Sequence, residues 1–264
     1  MATPSAGADR PARASELSVS GTGPLDIYIG YDTQERVAYH TLCQSLLDHA
    51  SRPLRLTPIA LHTLRPVHSR SRVATQSTQF SFSRFLTPWL SGYRGWSLFM
   101  DCDMLALADI AELFAIADDR YAVMVAKHDY TPRDDIKFLG NTQTIYPKKN
   151  WSSVVLFNNA KCTSLTPEYV DRASGLDLHQ FKWLHGDEEI GSLPLEWNWL
   201  VGEYERNTEA KVVHFTRGGP YFAQYADCDY AEEWRMTFAR AFAADQEHAD
   251  TLKSRSQGER DEDR

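Results

Sequence analysis

Short apolar runs alternate with amphipathic stretches along most of the chain. Leu25 to Gly30 predicts a first strand, and Tyr39, Leu42, Cys43, Leu46 and Leu47 then recur at the spacing of one helix face. Asp32 with Glu35 three residues later has the form of a capping box at the start of that helix. A second apolar segment covers Leu54 to Leu61, and Phe82, Phe85, Leu86, Trp89 and Leu90 set another helical stripe over 80–91, which Pro88 should bend or end early. Arg84 falls on the far side of that stripe, directed away from the core. Leu98 to Met100 reads as a buried strand, followed by strands at Tyr121 to Ala126, Val154 to Phe157 and Val212 to His214. Helices are expected over Ile110 to Ala117, capped by Asp109 with Glu112, and over Ala231 to Ala244, with Trp234, Phe238, Ala241 and Phe242 on one face. Strands alternating with helices predict an α/β domain with a mainly parallel central sheet.

The patterning fades at both ends. Residues 1–22 are rich in Ala, Ser, Gly and Pro and predict a disordered tail, as does the mixed-charge segment 246–264, which leaves one domain over 23–245. Residues 129–150 are polar and weakly periodic, as expected of a long functional loop. The 264 residues are 42% hydrophobic and 24% charged, the balance of an ordinary globular chain. A formal net charge of -8 argues against nucleic acid as a partner. No stretch approaches the roughly 20 apolar residues of a transmembrane helix, and no signal peptide is evident, so a cytoplasmic protein is expected. The four cysteines, Cys43, Cys102, Cys162 and Cys228, form no Cys-x-x-Cys pair and read as buried thiols.

The chemistry concentrates where strands end. After Leu98-Phe99-Met100 come Asp101-Cys102-Asp103, two carboxylates one residue apart. On a strand they would share a face while Cys102 points inward, placing two hard oxygen ligands where a divalent cation and a diphosphate could meet. The competing reading is that both aspartates merely cap the next element. Ligands in open α/β sheets bind beyond the C-terminal ends of the strands, so Tyr31, Asp32, Asn158 and His214 are candidates for the same crevice. Arg84, just before the aspartate strand, is either solvated surface or a partner for phosphate or a carboxylate. Asp187-Glu188-Glu189 is an acid run that is most simply solvated.

The order of these features resembles the GT-A glycosyltransferases, most of all the family-8 retaining enzymes that include glycogenin and lipopolysaccharide galactosyltransferases, with this chain as a divergent, bacterial-type relative. Asp101-Cys102-Asp103 is similar to that family's Asp-x-Asp motif. Ser83-Arg84-Phe85-Leu86 resembles its donor-contacting helix, Ile29-Gly30-Tyr31-Asp32 its nucleotide-facing turn, and Val154-Val155-Leu156-Phe157-Asn158 its buried strand ending in Asn. Asp187-Glu188-Glu189-Ile190 stands where the family keeps its active-site acids, and His214 where it keeps a third metal ligand. Two departures stand out. Arg217-Gly218-Gly219-Pro220-Tyr221 lacks the family's phosphate-binding Lys and has Tyr in place of Trp, and Trp151-Ser152-Ser153 replaces the usual Asn-Ala-Gly.

The resemblance implies a GT-A fold and metal-dependent transfer of a sugar, with retention, from a UDP-sugar donor to a saccharide or glycoconjugate acceptor. It implies Mn²⁺ or Mg²⁺ held by Asp101, Asp103 and His214. Donor contacts fall to Tyr31, Asp32, Arg84, Asp101 and Asn158, with Arg217 as a candidate to supply the missing Lys charge from a shifted position, and Asp187, with Glu189 second, lies by the reacting carbon or the acceptor. Two rivals stay open from the residues themselves: a haloacid-dehalogenase-type phosphatase using the aspartate pair, and a non-catalytic nucleotide-sugar-binding protein.

Overall fold

A computed structural model describes residues 23–70, 76, 78–129 and 147–243. Both expected tails, and 130–146 of the long polar loop, lie outside the described residues. The chain opens with strand β1 (Leu25–Tyr31), helix α1 (Arg36–Asp48) and strand β2 (Leu54–Ala60). Strand β3 (Trp96–Met100) is followed at once by the short β4 (Met104–Ala106), helix α3 (Ile110–Ala115) and β5 (Val123–Ala126), with helix α2 (Thr87–Leu90) ahead of them. Then come β6 (Val154–Asn158), helices α4 (Pro167–Arg172) and α5 (Gly175–His179), and strands β7 (Ile190–Leu193), β8 (Trp199–Leu200) and β9 (Val212–His214). Helix α6 (Ala231–Phe242) closes the described chain.

Six strands form the main sheet in the order β2-β1-β3-β6-β5-β7. All its pairings are parallel except the two made by β6, which runs against both β3 and β5. The mainly parallel α/β sheet expected from the pattern is therefore present. Leu98, Phe99 and Met100 in β3 and Val154 to Phe157 in β6 are fully buried, as continuous apolar runs must be when helices or loops cover both faces. At β1, Gly30 lets the Phe80 ring lie directly on the strand: a Cβ there would fall 2.4 Å from it. A second sheet, β4-β9-β8, grows from the residues just after the Asp-x-Asp segment.

Several local expectations change. The N-cap of helix α1 is Glu35 instead of Asp32, and it makes no side-chain cap, so Asp32 and Glu35 do not form a capping box. Asp32 accepts from the backbone N–H of Gln34 and of Gln79, at 2.9 Å each, closing an Asx turn and pinning the 78–82 segment to it. Leu47, assigned to the buried face of α1, is 55% exposed. The stretch 80–91 is not one helix but a 3-10 turn, Ser83–Leu86, followed by the single turn α2. Ser83, Arg84, Phe85 and Leu86 are all buried, so the face opposite the apolar stripe is covered as well, and Arg84 meets Asp101 and Ser152 there instead of solvent. Pro88 sits in the first turn of α2, where its missing N–H costs nothing, and neither bends nor ends a helix. Asp109 does cap α3, accepting from Ala111 N, while the Glu112 side chain is paired with Lys211 instead of reaching back to complete a box.

Candidate active site

Asp101 to Asp103 lie between β3 and β4 and not on a strand, yet the expected division holds. Both carboxylates join one cluster, and Cys102 is wholly buried, with its thiol pushed up by burial and by the surrounding acids. Asp101 is anchored on both sides: its N–H donates to the Ser153 carbonyl (2.9 Å), and its carboxylate meets the Arg84 guanidinium at 2.7 Å. Arg84 also donates to the Ser81 and Ser152 carbonyls and lies over the Phe80 and Phe99 rings. The reading of Arg84 as partner to a carboxylate is thus the realised one. Trp151-Ser152-Ser153, singled out as a departure from the family, leads into the end of β6 that meets the aspartates.

His214 arrives from the second sheet. β9 pairs antiparallel with β4, Met104 faces His214, and Phe215 N–H donates to the Asp103 carbonyl at 2.9 Å. A residue more than a hundred positions away is thereby set beside Asp103, its Nε2 3.4 Å from the carboxylate. Its Nδ1 lies 3.0 Å from Asn198 Oδ1. Asn198 is itself fully buried, its amide nitrogen 3.2 Å from the Asn150 carbonyl and 2.9 Å from Ser153 Oγ.

One ligand atom from each of Asp101, Asp103 and His214 falls within 4.8 Å of the other two, and all three residues are buried. The electrostatics fit a cation. Asp32, Glu35, Asp101 and Asp103 are all less than 10% exposed, the three aspartates all act on Glu35, and the Arg84 guanidinium is paired with Asp101. Burial, and then the charge of Asp103, raise the Glu35 carboxyl well above the ordinary range, although Tyr221 O–H donates to it at 2.6 Å. Such a surplus of buried negative charge is costly unless balanced by protons or metal. Two hard oxygens and one imidazole nitrogen suit Mn²⁺ or Mg²⁺.

The remaining candidates divide. Tyr31 closes β1 and packs edge-on against Tyr39. Asp32 is near the cluster electrostatically, but both of its oxygens already accept backbone N–H groups. Arg217 folds back so that its guanidinium donates to the Gly202 carbonyl at 3.3 Å. Asp187 is exposed and paired with Lys148 at 2.5 Å, and Glu189 accepts from His185 N–H. Asn158 is misplaced by the expectation: because β6 is antiparallel, Asn158 lies opposite Trp96, at the far end of the β3–β6 pair from Asp101. The rule about strand ends holds only for strands that share a direction. Glu35, Asn198 and Ser153 are residues the sequence pattern did not assign to the site. Glu35 was legible only as a helix cap, and Asn198 lay inside a Trp-rich segment that reads as core.

A Cβ at Gly219 would come within 2.3 Å of the Tyr221 ring that reaches Glu35. No larger residue fits unless that ring moves.

Sheet order and strand-end cluster together define the fold of the GT-A glycosyltransferases, and solved structures agree. The chain resembles the WbbM bifunctional glycosyltransferase in its apo form, with a TM-score of 0.59 at 14% identity over 82% of this chain and 50% of that one. It also resembles the apo-form glycosyltransferase GlyE of Streptococcus pneumoniae TIGR4, with a TM-score of 0.55 at 15% identity over 88% and 64%. The galactosyltransferase LgtC, solved with donor and acceptor sugar analogs, gives a TM-score of 0.50 at 10% identity over 84% and 98%. The chain thus spans half the length of WbbM and less than two thirds of GlyE. No family model matches the sequence. Protein CDI of Arabidopsis thaliana, however, is 46% identical over 239 residues, covering 87% of this chain and 92% of that protein, and the chain belongs to its family.

Proposed function

We propose that this protein is a metal-dependent glycosyltransferase that moves a sugar from a UDP-sugar to a saccharide or glycoconjugate acceptor, with retention. The observation that carries this reading is the buried Asp101–Asp103–His214 triangle at the C-terminal end of β3, on a fold shared with solved glycosyltransferases. Asp101, Asp103 and His214 would hold Mn²⁺ or Mg²⁺, which supplies positive charge for a departing diphosphate where that charge develops. Arg84 holds the Asp101 carboxylate in place. Tyr31 and the turn held by Asp32 form the floor for the nucleotide, and Arg217 is a candidate for the phosphates once released from Gly202. Asp187, exposed and held by Lys148, is available to the acceptor or the reacting carbon, with Glu189 behind it. Among the described residues no helix is long and apolar enough to cross a membrane.

Thermal-shift titration with nucleotide sugars, with and without Mn²⁺, tests the reading, because a ligand specific for the native state raises its apparent stability. The expected result is stabilisation by a UDP-sugar only when Mn²⁺ is present, followed by release of UDP. Failure of every nucleotide to stabilise the chain with Mn²⁺ overturns the transferase, and tight metal-dependent UDP binding without transfer or hydrolysis points to a binding protein instead. Asp187→Asn should lower kcat at least tenfold while donor binding stays within about twofold, the signature of a group acting on the reaction and not on the ground state. Equal loss of donor affinity removes Asp187 from that role.

A further inference from the structure

The hydrogen bonds around Asn198 fix more than its own position. The Asn150 carbonyl can only accept, so the Asn198 atom 3.2 Å from it is the amide nitrogen. Ser153 Oγ agrees: its hydrogen goes to the same carbonyl at 2.6 Å, leaving a lone pair to accept from Asn198 at 2.9 Å. Asn198 Oδ1 therefore faces His214 Nδ1 at 3.0 Å, and an amide oxygen can only accept. The proton of a neutral His214 ring must then sit on Nδ1. The Nε2 lone pair is left pointing at Asp103, 3.4 Å away, an arrangement that calls for a cation.

We propose that Asn198 is the positioning residue of the metal centre: it selects the His214 tautomer and ring orientation that present Nε2 to a divalent cation. This rests on the metal-dependent reading above. Anchors for the unit come from two places. Asn150 and Ser153 belong to the turn that delivers β6 to Asp101, since Ser153 O also accepts from Asp101 N–H. Asn198 ends the 3-10 turn Leu195–Asn198 and leads into β8, which pairs parallel with β9. A single buried amide thus ties the segment that holds Asp101 to the strand that holds His214.

The test is a Mn²⁺ titration of the full chain, followed by the electron paramagnetic resonance signal of free Mn²⁺, with circular dichroism of the metal-free protein alongside. Asn198→Ala should weaken Mn²⁺ binding by about 10- to 100-fold, the usual effect of losing a hydrogen-bond partner of a ligating His. In a His214→Ala background the same substitution should add no further loss, because its effect passes through the ring. An unchanged Mn²⁺ affinity in Asn198→Ala overturns the role, as does an equal loss in the His214→Ala background, which would mark a purely structural residue. If Asn198→Ala does not fold, Ser153→Ala removes one of the two acceptors that orient the amide, and several-fold weaker binding is expected; unchanged affinity overturns the proposal. A native chain that binds no Mn²⁺ at all overturns the metal centre itself, a result distinct from a native chain that binds and a variant that binds equally well.

Discussion

β3 and β6 are neighbours of the same length and nearly the same character, each an apolar run that ends in polar residues. Asp101 follows one and Asn158 closes the other. They nevertheless occupy opposite ends of the sheet, because β6 is antiparallel. What β6 contributes to the site is its beginning: Ser152 O receives Arg84, and Ser153 O receives Asp101 N–H. Strand composition locates the sheet, whereas strand direction decides which end of each strand faces the ligand.

The sharpest way to break this contrast is to compare the two aspartates at the site end. Asp101→Asn and Asp103→Asn should both abolish turnover, by about 10³-fold or more if each carboxylate belongs to the electrostatic machinery. Their effects on stability should differ. Asp101→Asn takes the carboxylate from a buried guanidinium, a change worth about 3 kcal/mol or more, whereas Asp103→Asn removes one member of a crowded acidic group that already raises Glu35. Urea denaturation of the metal-free proteins should find Asp101→Asn markedly less stable and Asp103→Asn near or above the native value. Equal destabilisation by both would mean that the Arg84 pair does not set Asp101 apart.

The fold was legible to the extent that apolar runs mark strands, and the aspartate pair was legible as a candidate from its place after a buried run, although the same spacing could equally cap the next element. His214 was legible through family resemblance and its place after a short strand. Pairing with β4 was not legible, because three-residue strands carry no register signal of their own. Arg84 does point away from the apolar stripe, but that face is covered by Asp101 and Ser152, tertiary neighbours that a helical wheel does not contain. Glu35 was hidden by a plausible local role: the same Asp-x-x-Glu spacing serves a capping box or, as here, two separate buried acids. Asn158 failed through direction alone.

A smaller effect should appear at the end of β5, on the same edge of the sheet as the aspartates. His128 follows that strand, is buried, lies 2.9 Å through Nδ1 from the Tyr204 hydroxyl, and gives its carbonyl to Trp151 Nε1. Burial, helped by the nearby His214, pushes its pKa down to about 3 from the usual 6.5. The unfolded chain therefore takes up a proton below about pH 6.5 that the folded chain refuses, and stability falls as pH drops through that window. At about 1.4 kcal/mol per pH unit, this one group should cost about 2 kcal/mol between pH 7 and pH 5. Urea denaturation at the two pH values should show His128→Gln losing less stability than the native chain by about that amount. An identical loss would mean that another group carries the acid sensitivity.

The smallest effect belongs to Asn158, and its size is the point. Its side-chain amide reaches the Tyr121 carbonyl at 3.4 Å, a long contact worth at most about 1 kcal/mol, and its backbone N–H donates to Ala122 O whatever side chain it carries. Asn158→Ala should accordingly leave Mn²⁺ affinity and sugar transfer within about twofold of native, and reduce stability by less than about 1 kcal/mol. Ser152→Pro, at the other end of the same strand, should disturb the turn that receives both Arg84 and Asp101 and should reduce metal binding far more. If Asn158→Ala abolished donor binding while Ser152→Pro did not, the end of β6 that serves the ligand would have been assigned the wrong way round, and the antiparallel placement of that strand would have to be abandoned.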